Sequence, residues 1–180
     1  MAAVALVGIG QGDKQHYNGS EADYFDYVGS AYVPRYFVQD KLTTATGEFV
    51  LTATDGAQIR FCDFSGSLPA AQRGAFKSYT DPYGNTTSVT SRNTAGNLTE
   101  IQRAVTVGGS TTTESYLYTY LTSGNNSGKI SNVTLRRKVD AGSWSTVRQV
   151  DYTYYDNSQN YGNLGDLKFA VIKDSAGNAL

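Results

Sequence analysis

The side chains of this chain best suited to surface chemistry are aromatic. Tyr116-Leu-Tyr118-Thr-Tyr120 alternates with a period of two, which lays its tyrosine rings along one side of a strand. Tyr152 and Tyr154 repeat the spacing, and Trp144 lies shortly before them. Such rings can stack on the C–H faces of sugars, or pair across strands and stabilise the sheet that carries them. The second role needs no ligand and is the one expected here. A carbohydrate-binding platform made of Tyr116, Tyr118, Tyr120, Trp144, Tyr152 and Tyr154 is the alternative.

Other reactive patterns fail on their own terms. Gly8-Ile-Gly10-Gln-Gly12 follows a short apolar run, but a dinucleotide loop needs a helix next, and Asp13-Lys-Gln-His-Tyr-Asn-Gly supplies none. Asp156-Asn-Ser158-Gln-Asn160-Tyr-Gly162 approaches a calcium loop, yet Tyr161 stands where glycine is needed and Leu167 where the closing glutamate belongs. His16 and Cys62 are the only residues of their types, so no Cys/His metal cluster and no internal disulfide can form. Arg136-Arg137-Lys138 alternates faces on a strand and reads as a charged sheet surface. No catalytic, cofactor-binding or metal-binding residue is assigned, and the expectation is a non-enzyme without a cofactor.

The elements that must position these residues are β-strands. The chain of 180 residues suits one domain or a slice of a larger one; 19 glycines punctuate it, and 3 prolines with 17% charged residues argue against a disordered linker. A net charge of -1 provides no field for nucleic acid or anionic membranes. The apolar opening Met1–Gly10 is too short to span a bilayer and lacks the features of an export signal. The Asn-x-Ser/Thr triplets at Asn18, Asn85, Asn97, Asn125 and Asn132 are those expected by chance in so Ser/Thr-rich a chain.

No sustained helical period occurs. Residues 48–54 and 57–63 flank Asp55-Gly56, which predicts a two-residue hairpin turn, with Thr52 opposite Ile59 and Val50 opposite Phe61. Val50, Ile59 and Phe61 are then expected on the core face. A second hairpin runs from Ser131 to Tyr155; a loop at Asp140–Ser143 places Trp144 opposite Val139, Leu135 opposite Arg148 and Val133 opposite Val150. Two stretches repeat a phrase. Gly74-Ala-Phe76-Lys77 leads to Asp81-Pro-Tyr-Gly84-Asn85, and Gly165-Asp-Leu167-Lys168 leads to Asp174-Ser-Ala-Gly177-Asn178. Their strands differ by two residues, so side-chain facing is preserved, and each Asp-x-x-Gly-Asn suits a type I turn. The fold class is all-β, an antiparallel hairpin meander.

Tyr152-Thr-Tyr154-Tyr155-Asp156, followed by Gly165-Asp-Leu167 and Asp174 to Asn178, resembles the tyrosine-aspartate (YD) repeat of the RHS family. Gly74 to Asn85 resembles it too, and Phe61-Cys-Asp63 more weakly. The likeness covers about residues 41–180, while residues 1–40 form a poorly repetitive leading segment. An insert from Asn157 to Leu164 and Asp166 in place of the usual arginine depart from the pattern. The resemblance implies a curved sheet or partial β-shell, with Asp81, Gly84, Asn85, Tyr155, Asp156, Gly165, Asp174, Gly177 and Asn178 as its structural turns. It also implies a secreted or cell-surface parent whose remaining repeats enclose a C-terminal effector. Neither nucleic acid nor a membrane span is expected among its partners. Some members close their shell with a self-cleaving Asp-Pro-x-Gly-Leu motif; at Asp81-Pro-Tyr-Gly84, Asn85 replaces the leucine, and a plain turn is expected. The chain's ending just after a turn suggests a fragment of a longer repeat protein.

Overall fold

The computed structural model describes residues 3–6 and 23–180. The chain forms two compact units, Met1–Thr86 and Thr87–Leu180, and the fold is all-β and antiparallel in both. In the first unit β1 (Ala3–Leu6), β2 (Asp23–Val28) and β3 (Ala31–Pro34) make a small sheet. β4 (Lys41–Ala45), β5 (Glu48–Thr52), β6 (Gln58–Cys62) and β7 (Phe76–Thr80) follow in chain order as a meander. The two layers meet on one apolar core. Phe25 from the small sheet packs with Leu42, Phe49, Leu51 and Phe61, and Tyr32, Val38, Ile59 and Phe76 close around them. Among the described residues, every buried apolar side chain belongs to this unit.

The β5–β6 hairpin is one residue out of the predicted register. Phe49 pairs with Phe61, Leu51 with Ile59, and Val50 with Arg60. The cause lies in the loop. It holds three residues, with Ala53 N–H bonded to the Ala57 carbonyl at 2.8 Å and Gly56 N–H to the Ala53 carbonyl at 3.0 Å. Gly56 takes φ +91°, the left-handed residue that adds a bulge to a three-residue loop. A slip of one residue exchanges faces. Phe49, Leu51, Ile59 and Phe61 therefore form a clean apolar face, while Val50 joins Glu48 and Arg60 on the other.

The second unit carries β8 (Thr86–Arg92), β9 (Leu98–Val107), β10 (Ser110–Tyr120), β11 (Ile130–Val139), β12 (Ser145–Tyr154) and β13 (Leu167–Lys173), again ordered as in the chain. Leu135 opposes Arg148 and Val133 opposes Val150, as the alternation predicts. Nearer the loop the register shifts by one, pairing Arg136 with Thr146 and leaving Val147 as the extra residue of a bulge. Trp144 is therefore not opposite Val139. Its ring lies beneath the Arg136 guanidinium at 4.3 Å and the Lys138 ammonium at 4.9 Å, on the sheet face away from Leu135.

The Asp-x-x-Gly-Asn phrase has one geometry wherever it occurs. Asp81 N–H bonds to the Asn85 carbonyl at 3.0 Å, Gly84 N–H returns to the Asp81 carbonyl at 3.0 Å, and Gly84 has φ +85°. At the other copy, Asp174 N–H reaches the Asn178 carbonyl at 2.9 Å, Gly177 N–H the Asp174 carbonyl at 3.2 Å, and Gly177 has φ +91°. Each aspartate accepts the backbone N–H and the side-chain amide of its asparagine, and at Asp174 the bonds from Asn178 hold the carboxyl below its usual range. Asn93-Thr-Ala-Gly96-Asn97 forms the same loop, with Asn93 Oδ1 accepting from Ala95 and Asn97 and Gly96 at φ +86°.

No atom lies near the place a Cβ would take at Gly84 or Gly177, so a substitution there meets backbone strain alone. Left-handed geometry costs a β-branched residue about 1–2 kcal/mol. Gly84→Val and Gly177→Val should each lower the urea midpoint accordingly. Gly66→Ala, at a site with ordinary φ and open space, should leave the midpoint unchanged.

Candidate functional site

The YD-like residues sit at corners rather than at a reactive centre. Tyr155 N–H donates to the Asp166 carbonyl at 2.9 Å, and Gly165 N–H donates to the Tyr155 carbonyl at 3.0 Å. Gly165 takes φ +91°, and Lys168 is the extra residue of a bulge, since Tyr154 pairs with Leu167 but Thr153 with Phe169. The first copy repeats this arrangement. Cys62 N–H donates to the Ala75 carbonyl at 2.8 Å, Gly74 N–H to the Cys62 carbonyl at 3.1 Å, and Lys77 is the bulged residue. Asp63 and Asp156 follow the two pivots and accept the N–H of Ser65 and Ser158.

A third corner escapes the motif. Leu121 N–H donates to the Lys129 carbonyl at 2.8 Å, Gly128 N–H donates to the Leu121 carbonyl at 2.8 Å, and Ser131 is the bulged residue. Leu121-Thr122 stands where Tyr155-Asp156 stands, so no Tyr-Asp pair marks it. Gly128-Lys-Ile130 was the available signal.

The tyrosines gather as their alternation predicts. Tyr116 opposes Leu135 and Tyr118 opposes Val133, which opposes Val150, the neighbour two before Tyr152 on the same face. Burial pushes the Tyr118 phenol above its usual pKa, reinforced by Tyr116, Tyr120 and Tyr152 nearby. Tyr120 and Tyr154 end equivalent strands and act alike. The Tyr120 hydroxyl donates to the Leu98 carbonyl at 2.6 Å and the Tyr154 hydroxyl to the Ile130 carbonyl at 2.8 Å, each tying a ring to the first residue of the preceding long strand. Trp144 is on the opposite face and shares no platform with them.

That opposite face is a polar network. Ser115, fully buried, donates to Glu100 Oε1 at 2.5 Å, and Gln102 and Arg136 donate to the same oxygen at 2.9 and 2.8 Å. Burial alone would raise the Glu100 pKa. The hydrogen bonds from Ser115, Gln102 and Arg136 outweigh it and lower the value from 4.5 to about 2. Farther along, Asp151 accepts from Asn132 at 2.6 Å and pairs with Lys173 at 2.5 Å. In the first unit Glu48 pairs with Arg60 and with Lys77, the latter at 2.8 Å. Of the basic run, Arg136 joins Glu100, Arg137 joins Glu114 on the other face, and Lys138 covers Trp144. Gly8–Gly12, His16 and Asn18 lie outside the described residues. Among the described residues no group of three His, Cys, Asp or Glu side chains could hold a metal, and no helix is long and apolar enough to cross a membrane.

One concave feature lies where the sequence marked nothing. Between β3 and β4 of the first unit a cleft of about 530 Å³ is lined by Tyr27, Tyr32, Gln39, Asp40, Lys41 and Thr43 among others. Its rings come from a cross-strand pair, and its polar groups from the end of the β3–β4 connection. Sequence periodicity cannot reveal it, because its walls belong to separate sheets.

Loss of one hydroxyl bond costs about 0.5–1.5 kcal/mol, so Tyr120→Phe and Tyr154→Phe should each lower stability by that amount in urea melts. Glu100 has a depressed folded-state pKa. Its contribution is full above the unfolded value near 4.5 and is lost as pH falls toward about 2. Glu100→Gln should lower the urea midpoint near neutral pH and flatten its decline across that acid window. Compared with known proteins, the chain matches no family model and no curated protein.

Proposed function

We propose that the chain is a non-catalytic wall segment of an RHS/YD-type β-shell, from a larger secreted or cell-surface protein whose shell encloses a C-terminal effector. The observation that carries the reading is the recurrence of one corner. Cys62, Leu121 and Tyr155 each exchange the same two backbone bonds with a glycine segment, and each exchange is followed by a bulge on the next strand. A corner that tolerates unequal loops while preserving strand facing is a device for adding strands one after another.

The side chains support the same reading. The acidic groups Glu48, Glu100 and Asp151 are engaged in bonds within the sheets. The hydroxyls of Tyr120 and Tyr154 are engaged by backbone carbonyls, which suits rings that stiffen a wall better than rings that recognise a ligand. The Asp81 carboxylate anchors its own loop through Tyr83 and Asn85, the role of a turn residue rather than of a cleavage site.

The reading frame around these codons tests the proposal. It should encode further glycine corners and Asp-x-x-Gly-Asn loops in series, and an effector domain beyond them. A frame without such repeats on either side overturns the wall reading.

A further inference from the structure

We propose that the cleft between the two sheets of the first unit binds a neutral sugar, with one pyranose ring seated against Tyr27. The inference does not rest on the wall reading, since none of the cleft residues belongs to a repeated corner.

The size is right: about 530 Å³ falls within the roughly 300–1,000 Å³ of small-ligand sites. The chemistry is more specific. A pyranose presents an apolar C–H face and a rim of hydroxyls that donate and accept. Tyr27 is 49% exposed, so its ring is available to stack. Tyr32 backs it at 5.0 Å between centroids and packs edge-on against the buried Phe49 at 5.8 Å, which fixes the platform to the core. Gln39 and Asp40 at the end of the β3–β4 connection add polar residues to the lining, while Lys41 and Thr43 alternate with the core-facing Leu42 and the Thr43 hydroxyl is turned to the Val50 carbonyl at 3.4 Å. One acid and one base leave no net field, which suits a polyol better than a phosphate.

The connection from Pro34 to Lys41 adds a second observation. Tyr36 takes φ +64°, a rare and costly conformation for a bulky residue. It is held there from one side by Arg35, whose N–H bonds to the Tyr24 carbonyl at 2.7 Å and whose guanidinium clasps Asp26 at 2.9 and 2.6 Å. On the other side Val38 packs on the core. The outcome is to display Tyr36 and Phe37 at 79% and 101% exposure, in the segment between the lining residues Pro34 and Gln39. Strain that holds aromatic rings in water beside a cleft is the pattern of a recognition rim.

The test is calorimetric titration of the full chain with cellotetraose, xylotetraose, chitotriose and lactose, beside sedimentation with phosphatidylcholine vesicles. Binding to at least one glycan is expected. Tyr27→Ala should weaken it about tenfold, and Gln39→Ala should weaken it as well, both with unchanged circular dichroism. Tyr83→Ala, distant in the chain and 91% exposed, should bind as the parent does. No binding to any of these glycans at millimolar concentration overturns the proposal. So does binding that survives both Tyr27→Ala and Gln39→Ala, or adsorption to vesicles without glycan binding.

Discussion

The fold depends on a reciprocal pair of backbone hydrogen bonds made at a left-handed glycine. At each corner the residue that ends a strand (Cys62) or directly follows its end (Leu121, Tyr155) gives its N–H to the carbonyl after the glycine and receives the glycine N–H on its own carbonyl. That exchange defines where the next strand starts, whatever the length of chain between. The bulge that follows restores the facing, with Lys77, Ser131 or Lys168 as the extra residue. Without the positive φ at Gly74, Gly128 and Gly165 the two carbonyls would not point across the gap. Every downstream side chain inherits its face from this geometry.

The two units stabilise their sheets differently on that shared frame. In the first, a one-residue register slip collects Phe49, Leu51, Ile59 and Phe61 on a single face, and Phe25 covers them. Burial of apolar area is the main favourable term there. The second unit has no buried apolar side chain among its described residues. Its tyrosines are half-buried and roped to backbone carbonyls, and its polar face is cross-linked through Glu100, Ser115 and Arg136. Such a network is only as good as its weakest partner, because a buried polar group left unpaired costs more than the bond it lost.

Strand alternation was legible in the sequence, and so were the repeated turns and the Leu135–Arg148 register. What misled was loop chemistry. Asp55-Gly56 is a strong two-residue signal, but Ala53 and Ala57 close the loop around three residues, and the difference of one moves Val50 to the wrong face. The loop at Asn93 was hidden because Asn there does the work of Asp81, both side chains accepting the same backbone N–H. The corner at Leu121 was hidden because its bonds are made by main chain, which any residue supplies. Tyr155 and Asp156 are thus markers of a corner, and the glycine is its requirement. The cleft was illegible for a different reason: β2, β3 and β4 bring its walls together only through tertiary packing.

Departures from regular geometry locate specificity better than the repeats do. Among the described residues, the non-glycine positions with positive φ are Ser30, Tyr36 and Asp140. Ser30 follows Gly29, also left-handed, in the tight two-residue turn from Val28 to Ala31, where such backbone is normal. Asp140 leaves β11 and its carboxylate accepts from Thr111 N–H at 2.7 Å and Ser110 at 3.1 Å, so its strain joins two adjacent hairpins. Tyr36 closes no hairpin, and its own ring is displayed to solvent rather than packed. Two of the three outliers are explained by the sheet they serve. The third is flanked by the Arg35–Asp26 clasp and the packing of Val38, and its visible consequence is that Tyr36 and Phe37 are held exposed in the connection from β3 to β4. The repeated turns and corners do not produce that arrangement, which lies in the part of the chain where they do not occur.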